Sequence, residues 1–251
     1  MTRLPIGPES LDGDRVRFAP DDARHLFRVL RCRAGDRVEA MLAAPGVPPL
    51  RLTVTLTRID ARGAEGAVQS REPLRTESPL RVSLVQGIAK GDKMETIIRT
   101  STELGVAQVL PVVTARTVAG QERERWPERH RRWQRVAREA AKQCGRAVVP
   151  DIAEPRPFAE WIAAAPVGDL TVCLWEDARE SLGARLPAGP VERATLVVGP
   201  EGGLARAEVE RLREAGALVT GLGPRILRTE TAAPVGLALL QLRYGDLDPG
   251  R

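Results

Sequence analysis

Two glycine-rich stretches near the end of the chain hold the residues best suited to chemistry. The first is Val197-Val198-Gly199-Pro200-Glu201-Gly202-Gly203-Leu204. Its glycines let backbone come close to a ligand, and a helix starting just after it would offer free N–H groups. The second is Gly221-Leu222-Gly223-Pro224-Arg225-Ile226-Leu227-Arg228-Thr229-Glu230-Thr231, which sets two arginines and a carboxylate beside an apolar pair. Cations, an anion and apolar groups in loops of this kind suit a nucleotide-like ligand, although ordinary glycine-rich turns would look similar. Familiar alternatives fail on residue identity. Gly221-x-Gly223 is followed by Ile226 where a dinucleotide fingerprint needs a third glycine, and neither Gly-Lys-Ser/Thr nor Gly-x-Ser-x-Gly occurs. Cys32, Cys144 and Cys173 are scattered, as are His25 and His130, so no metal-ligand spacing exists and no metal is expected.

The elements that must position these loops alternate in type. Leu80 to Val85, Val109 to Val113, Leu170 to Trp175, Thr195 to Val198 and Leu218 to Thr220 read as strands. Between them, Asp92 to Leu104 carries Met94, Ile97, Ile98 and Leu104 on one helical face and stops at Gly105. Arg131 to Cys144, Phe158 to Ala164 and Ala205 to Ala215 are further helices, and Thr231 to Tyr244 is apolar nearly all round, with Pro234 expected in its first turn. Alternating strands and helices predict an α/β domain over 80–251 with a parallel sheet covered on both faces. In such a sheet, ligands bind outside the carboxyl ends of the strands, which is where both glycine-rich loops fall.

Residues 1–72 differ. Arg15-Val16-Arg17-Phe18, Arg37 to Met41 and Leu50 to Ile59 alternate as short strands, and a helical turn or two covers Asp21 to Leu30 with Asp21 or Asp22 as its cap. The two prolines of 72–79 mark a linker between this small β-rich unit and the larger one.

The bulk composition is that of a globular chain. Its 251 residues are 43% hydrophobic and 28% charged. No apolar run approaches the ~20 residues of a membrane span, and Met1-Thr2-Arg3-Leu4-Pro5 has no apolar signal region, so a cytoplasmic protein is expected. A net charge of +5 and a pI near 9.7 favour a polyanionic partner. Aromatics are only 3%, so arginine contacts to phosphate fit better than stacking of several bases.

Four segments together resemble one family. Gly199 to Gly203 with Leu222 to Ala232 is similar to the C-terminal signature of the SPOUT-class 16S ribosomal RNA uridine-N3 methyltransferases. Lys90-Gly91-Asp92-Lys93-Met94-Glu95 with Glu103-Leu104-Gly105, and Ala140 to Arg146, agree with it. Arg24-His25-Leu26 to Gly35-Asp36 resembles the family's small PUA-like RNA-binding barrel. The departure is 42–49, a stretch more proline-rich and less polar than the loop expected there.

The resemblance implies S-adenosylmethionine as cofactor, 16S rRNA of the small ribosomal subunit as partner, a homodimer, and a deep trefoil knot with the last helix threaded through a loop. Knots are nearly absent from proteins, so periodicity alone would not suggest one. It further implies that Gly199, Pro200, Glu201, Gly202, Gly203, Leu222, Gly223, Ile226, Leu227 and Thr229 form the cofactor site. Methylating uridine N3 requires a proton to leave and charge on the adjoining carbonyls to be steadied. Glu230 and Arg228 are the candidates for those tasks, unless they simply pair with each other. Thr229 and Thr231 are equally candidates for helix caps.

For RNA, Arg24, Arg28 and Arg31 lie in 23–35, which lacks carboxylates, and 116–146 holds ten basic residues against four acidic ones. Arg135, Lys142 and Arg146 come from that second run, and Lys90 and Lys93 from the matched segment. Of 38 basic residues only Lys90, Lys93 and Lys142 are lysines, and all three fall in matched segments. RNA binding through such residues should weaken steeply with salt. Two alternatives remain at this level: a non-catalytic ribosome-assembly factor with an idle pocket, and a SPOUT enzyme acting on transfer RNA or a ribose hydroxyl.

Overall fold

A computed structural model describes residues 3–118, 123–164 and 169–248. The chain divides into two units, one of Met1–Glu77 with Ala141–Val149 and one of Ser78–Ala140 with Pro150–Arg251.

The first unit is built on a six-stranded sheet. Its strands are β1 (Arg3–Ile6), β2 (Leu11–Asp12), β3 (Arg15–Arg17), β4 (Arg37–Ala44), β5 (Val47–Asp60) and β6 (Gly63–Pro73). They lie in the order β1-β4-β5-β6-β3-β2, with β1 parallel to β4 and the other pairs antiparallel. Alternation sends Leu52, Val54 and Leu56 of β5 into a core shared with Val38, Ala40, Phe18 and Leu26. The 42–49 stretch is strand rather than loop: Ala44 pairs with Val47, and only Pro45-Gly46 turns the chain, Gly46 having φ 73°. Strand β6 carries Gly and Ala where an alternating apolar face would announce it. A Cβ on Gly66 would overlap Val54 and the Thr55 carbonyl, so close strand packing demands glycine there.

Helix α1 (Pro20–Arg24) starts one residue before the expected Asp21. Ala19 is its N-cap and Pro20 its first residue, where a missing N–H costs nothing. It runs into a π-helical turn over His25–Val29. Asp22 is not a cap: it is fully buried and receives the Lys142 ammonium at 2.8 Å.

Segment Ala141–Val149 is held in the same unit by Glu77. One carboxylate oxygen accepts Arg146 Nε and Nη2 at 3.0 and 2.8 Å, and the other accepts the N–H groups of Ala147 and Val148.

The second unit holds a seven-stranded, wholly parallel sheet. It comprises β7 (Arg81–Gly87), β8 (Gln108–Val113), β9 (Asp151–Ile152), β10 (Arg156–Pro157), β11 (Leu170–Leu174), β12 (Arg193–Val198) and β13 (Leu218–Thr220). The order is β10-β8-β7-β12-β11-β13, with β9 also on β8. Its helices are α2 (Lys93–Glu103), α3 (Trp126–Cys144, whose last residues belong to the first unit), α4 (Phe158–Ala163), α5 (Leu182–Arg185), α6 (Arg206–Glu214) and α7 (Thr229–Tyr244).

Phe158 and Trp161 of α4 and Val209 and Leu212 of α6 bury against Val85, Leu110, Cys173 and Val197. Helix α7 meets other side chains of the same strands. Gly236 sits so close to Leu174 and Leu196 that a Cβ there would lie 2.9–3.0 Å from their methyl groups. Both faces of the sheet are thus covered, as a parallel sheet requires.

Helix α7 begins at Thr229 with Arg228 as N-cap, so neither Thr229 nor Thr231 caps it. Pro234 consequently lies in the second turn, inside the helix, and cannot donate to the carbonyl of Glu230. At the other end, Ser78 Oγ donates to Gln241 Oε1 at 2.6 Å, and Gln241 Nε2 reaches the Gly105 carbonyl at 3.3 Å. No described helix is long and apolar enough to cross a membrane.

Candidate active site

The carboxyl ends of β11, β12 and β13 open into a cavity of about 490 Å³. Its walls are Val198 to Gly203 after β12, Gly221 to Arg228 after β13, and Thr229, Glu230 and Ala232 of α7. Leu174, Trp175 and Glu176 come from the end of β11, and Lys93 comes from α2. The structure therefore gathers all twelve residues expected to bind cofactor or act in catalysis into one pocket. It adds Trp175, Glu176 and Lys93 to them.

Two polar networks fix the walls. Thr229 is only 6% exposed, and its hydroxyl donates to the Gly199 carbonyl at 2.7 Å. Gln86, fully buried at the end of β7, donates through Nε2 to the Thr229 hydroxyl at 2.9 Å and to the carbonyls of Gly87 and Gly199. Thr229 thus ties α7 to the first glycine-rich loop. A buried amide that answers several partners is strongly constrained, because losing one leaves the others desolvated and unpaired. Nothing in the sequence singles out Gln86, a lone polar residue at the end of an apolar strand.

The second network is ionic. Glu201 Oε1 accepts the backbone N–H of Lys90 at 2.9 Å, and Lys93 Nζ stands 3.2 Å from the same oxygen. Burial alone would push the Glu201 carboxyl up. The N–H groups of Lys90 and of Glu201 itself, with the Lys93 ammonium, outweigh burial and hold it below the usual carboxylate range. Lys93 Nζ also lies 3.7 Å from Glu230 Oε2. The Arg228–Glu230 ion pair considered from the sequence is absent. Arg225 and Arg228 are exposed on the second loop, and neither guanidinium has an ion pair or hydrogen bond among the described residues.

On the far wall, Arg116 Nη1 donates to the Gly202 carbonyl at 2.9 Å and approaches Glu176 at 3.8 Å, bracing the glycine-rich loop from outside. Helix α6 begins after that loop. Glu208 accepts the Ala205 and Ala115 N–H groups, and so secures the helix start that the loop leads into. Arg213 stacks over the Trp175 ring at 5.4 Å. Cys173, one residue inside β11, is buried, which pushes its thiol up to about 12 and makes it inert.

The residues expected to meet RNA separate into two groups. Arg24, Arg28, Arg31, Lys90 and Arg135 are exposed, and Arg24 also meets Asp21 at 3.2 Å. Arg31 adopts a left-handed conformation (φ 55°) just after the π-helical turn. The other three are engaged in ion pairs. Lys93 faces into the pocket, Lys142 is enclosed with Asp22, and Arg146, 5% exposed, is bound by Glu77. A charge paired in a buried site is not available to a phosphate without breaking that pair. Residues 119–122 of the basic run lie outside the described residues.

A family model for an RNA methyltransferase domain matches residues 76–241. The ribosomal RNA small subunit methyltransferase E of Bacillus subtilis is 31% identical over 229 residues, covering 88% of this chain and 87% of that protein. Its counterpart in Mycobacterium bovis is 33% identical, covering 86% and 82%. A crystal structure of the Neisseria gonorrhoeae ribosomal RNA small subunit methyltransferase E bound to S-adenosyl methionine superposes with a TM-score of 0.86 at 32% identity, covering 99% of this chain and all of that one. A Legionella pneumophila methyltransferase in complex with the same cofactor gives 0.85 at 30% identity, with 98% of each chain covered. The model match spans most of the parallel-sheet unit, and the relatives extend it over the first. The chain belongs to the ribosomal RNA small subunit methyltransferase E family of RNA methyltransferases.

Proposed function

We propose that this chain transfers a methyl group from S-adenosylmethionine to N3 of a uridine in the 16S ribosomal RNA of the small subunit. The observation that carries the reading is the pocket at the strand ends, with Arg228 and Glu230 set into its wall beside two glycine-rich loops. Its size suits a nucleoside-sized ligand, within the roughly 300–1,000 Å³ of small-molecule sites. The residues fit the cofactor. Leu174, Trp175, Leu222 and Leu227 give apolar surface for a base, Gly199 to Gly203 give backbone groups, and Glu176 gives a carboxylate for hydroxyls. The bound N. gonorrhoeae and L. pneumophila proteins support the same assignment.

The cofactor, when bound, supplies an already electrophilic methyl on a sulfonium. The protein's own task is then to hold the nucleophile in line and manage one proton. Glu230, at the start of α7, accepts the N3 proton as the base. Its position at a helix N-terminus suits an anion. Arg228, unpaired and exposed at the pocket mouth, steadies the negative charge that develops on the uridine carbonyls. Thr229 and Gln86 keep these two residues in register with the Gly199 loop.

The first unit, as a PUA-like barrel over 1–72, binds RNA through Arg24, Arg28 and Arg31. In the methyltransferase domain, 80–251, Lys90 and Arg135 are the residues that meet phosphates. The same reading includes a trefoil knot around α7, a homodimer and a cytoplasmic location.

Purified protein with labelled S-adenosylmethionine and small-subunit RNA tests it. Wild type should label N3-methyluridine. Arg228→Ala and Glu230→Gln should each lower the rate by about 10²-fold or more while leaving cofactor affinity nearly intact. Label on ribose or another base would overturn the assignment of N3, and full turnover by either variant would remove that residue from the mechanism.

A further inference from the structure

Lys93 is the cation of the pocket whose position the RNA-binding expectation does not explain. It is the first residue of α2, with its side chain 36% exposed, and its single ammonium faces two carboxylates, Glu201 at 3.2 Å and Glu230 at 3.7 Å. Those acids come from different elements, the loop after β12 and the first turn of α7.

The other charges nearby are otherwise engaged or exposed. Glu176 faces Arg116. Asp92, the N-cap of α2, and Glu95 in its first turn are taken by Arg132 at 3.3 and 2.7 Å. Arg225 and Arg228 of the second loop are exposed and do not reach Glu230. Glu230 Oε2 is buried and accepts no hydrogen bond, so its orientation rests on Lys93 and on the helix start.

We infer that Lys93 is a positioning residue, an ionic bridge that is anchored on Glu201 and holds the Glu230 carboxylate in the pocket wall. The inference rests on the reading of Glu230 as the base. Two features of the cluster favour it over a purely structural pair. When Glu230 takes a proton, Glu201 still neutralises Lys93, so the proton transfer leaves no half-buried ammonium uncompensated. A compact ammonium on a flexible stem can also sit between two carboxylates on different elements, which a planar guanidinium does less well. That accounts for lysine here in a chain that otherwise chooses arginine.

The test is a double-mutant cycle between Lys93→Met and Glu230→Gln. Single-turnover methyl transfer is measured at saturating cofactor and RNA, alongside cofactor affinity by calorimetry and thermal stability. Lys93→Met alone should slow transfer on the order of tenfold, with cofactor affinity and melting temperature little changed, and Lys93→Arg should recover only part of the rate. In the Glu230→Gln background, Lys93→Met should change the rate by less than about twofold, because the group it acts through is already gone. Multiplicative losses in the double variant would overturn the inference, as would a loss of cofactor binding or melting temperature that by itself accounts for the Lys93→Met defect. Full activity of Glu230→Gln would instead remove the base, a failure of the functional reading that is told apart by the single variant alone.

Discussion

At the scale of single residues, the site is a set of carboxylates and cations that hold one another across separate elements. Arg228 and Glu230 stand two positions apart, which made a mutual pair plausible, yet Glu230 turns to Lys93, a residue of α2 far away in the chain. Likewise Lys142 and Arg146, apparent members of a basic run, close onto Asp22 and Glu77. A sequence reports charge but not which acid folding brings to it. Glu201 gives a pH prediction from the same physics. Its carboxyl is held below the usual carboxylate range, so the stabilisation is fully present above the ordinary value and is lost as pH falls through the lower folded one. Melting temperature measured from pH 6 down to about pH 3 should therefore fall more steeply for wild type than for Glu201→Gln. Parallel curves would show that the carboxylate's partners do not contribute to folding.

At the scale of elements, periodicity located every strand of the parallel sheet except the two-residue β9 and β10. Fully buried strands are short continuous apolar runs, and glycines at positive φ stop the helices at Gly105 and Gly216. In the first unit, β6 escaped because Gly66 and its small neighbours serve close strand packing rather than display an apolar stripe. Helix α7 starts at Thr229, two residues before the expected Thr231, and the Thr229 hydroxyl is spent on Gly199 and Gln86 rather than on a cap. The same helix packs closely on the sheet at Gly236. Gly236→Leu would drive a side chain into Leu174 and Leu196, and overpacking of this kind costs roughly 1–3 kcal/mol. Chemical denaturation should show that loss, together with weaker cofactor binding as α7 shifts at the pocket. A variant as stable as wild type would mean that the helix can move outward freely.

At the scale of the whole molecule, the α/β class and the two loops of the pocket followed from alternation and from the position of the glycine-rich stretches at strand ends, but the individual site residues and the reaction did not. Glycine, arginine and glutamate at a nucleotide-sized pocket suit several transfers, and it is the family that narrows them to methylation of ribosomal RNA. The net charge of +5 agrees with an RNA partner without naming one. Mass spectrometric mapping of N3-methyluridine in 16S ribosomal RNA from cells with and without this gene decides whether the chain methylates that position. One N3-methyluridine should disappear without the gene and return with wild type but not with Arg228→Ala. Unchanged N3-methyluridine in cells lacking the gene would contradict it.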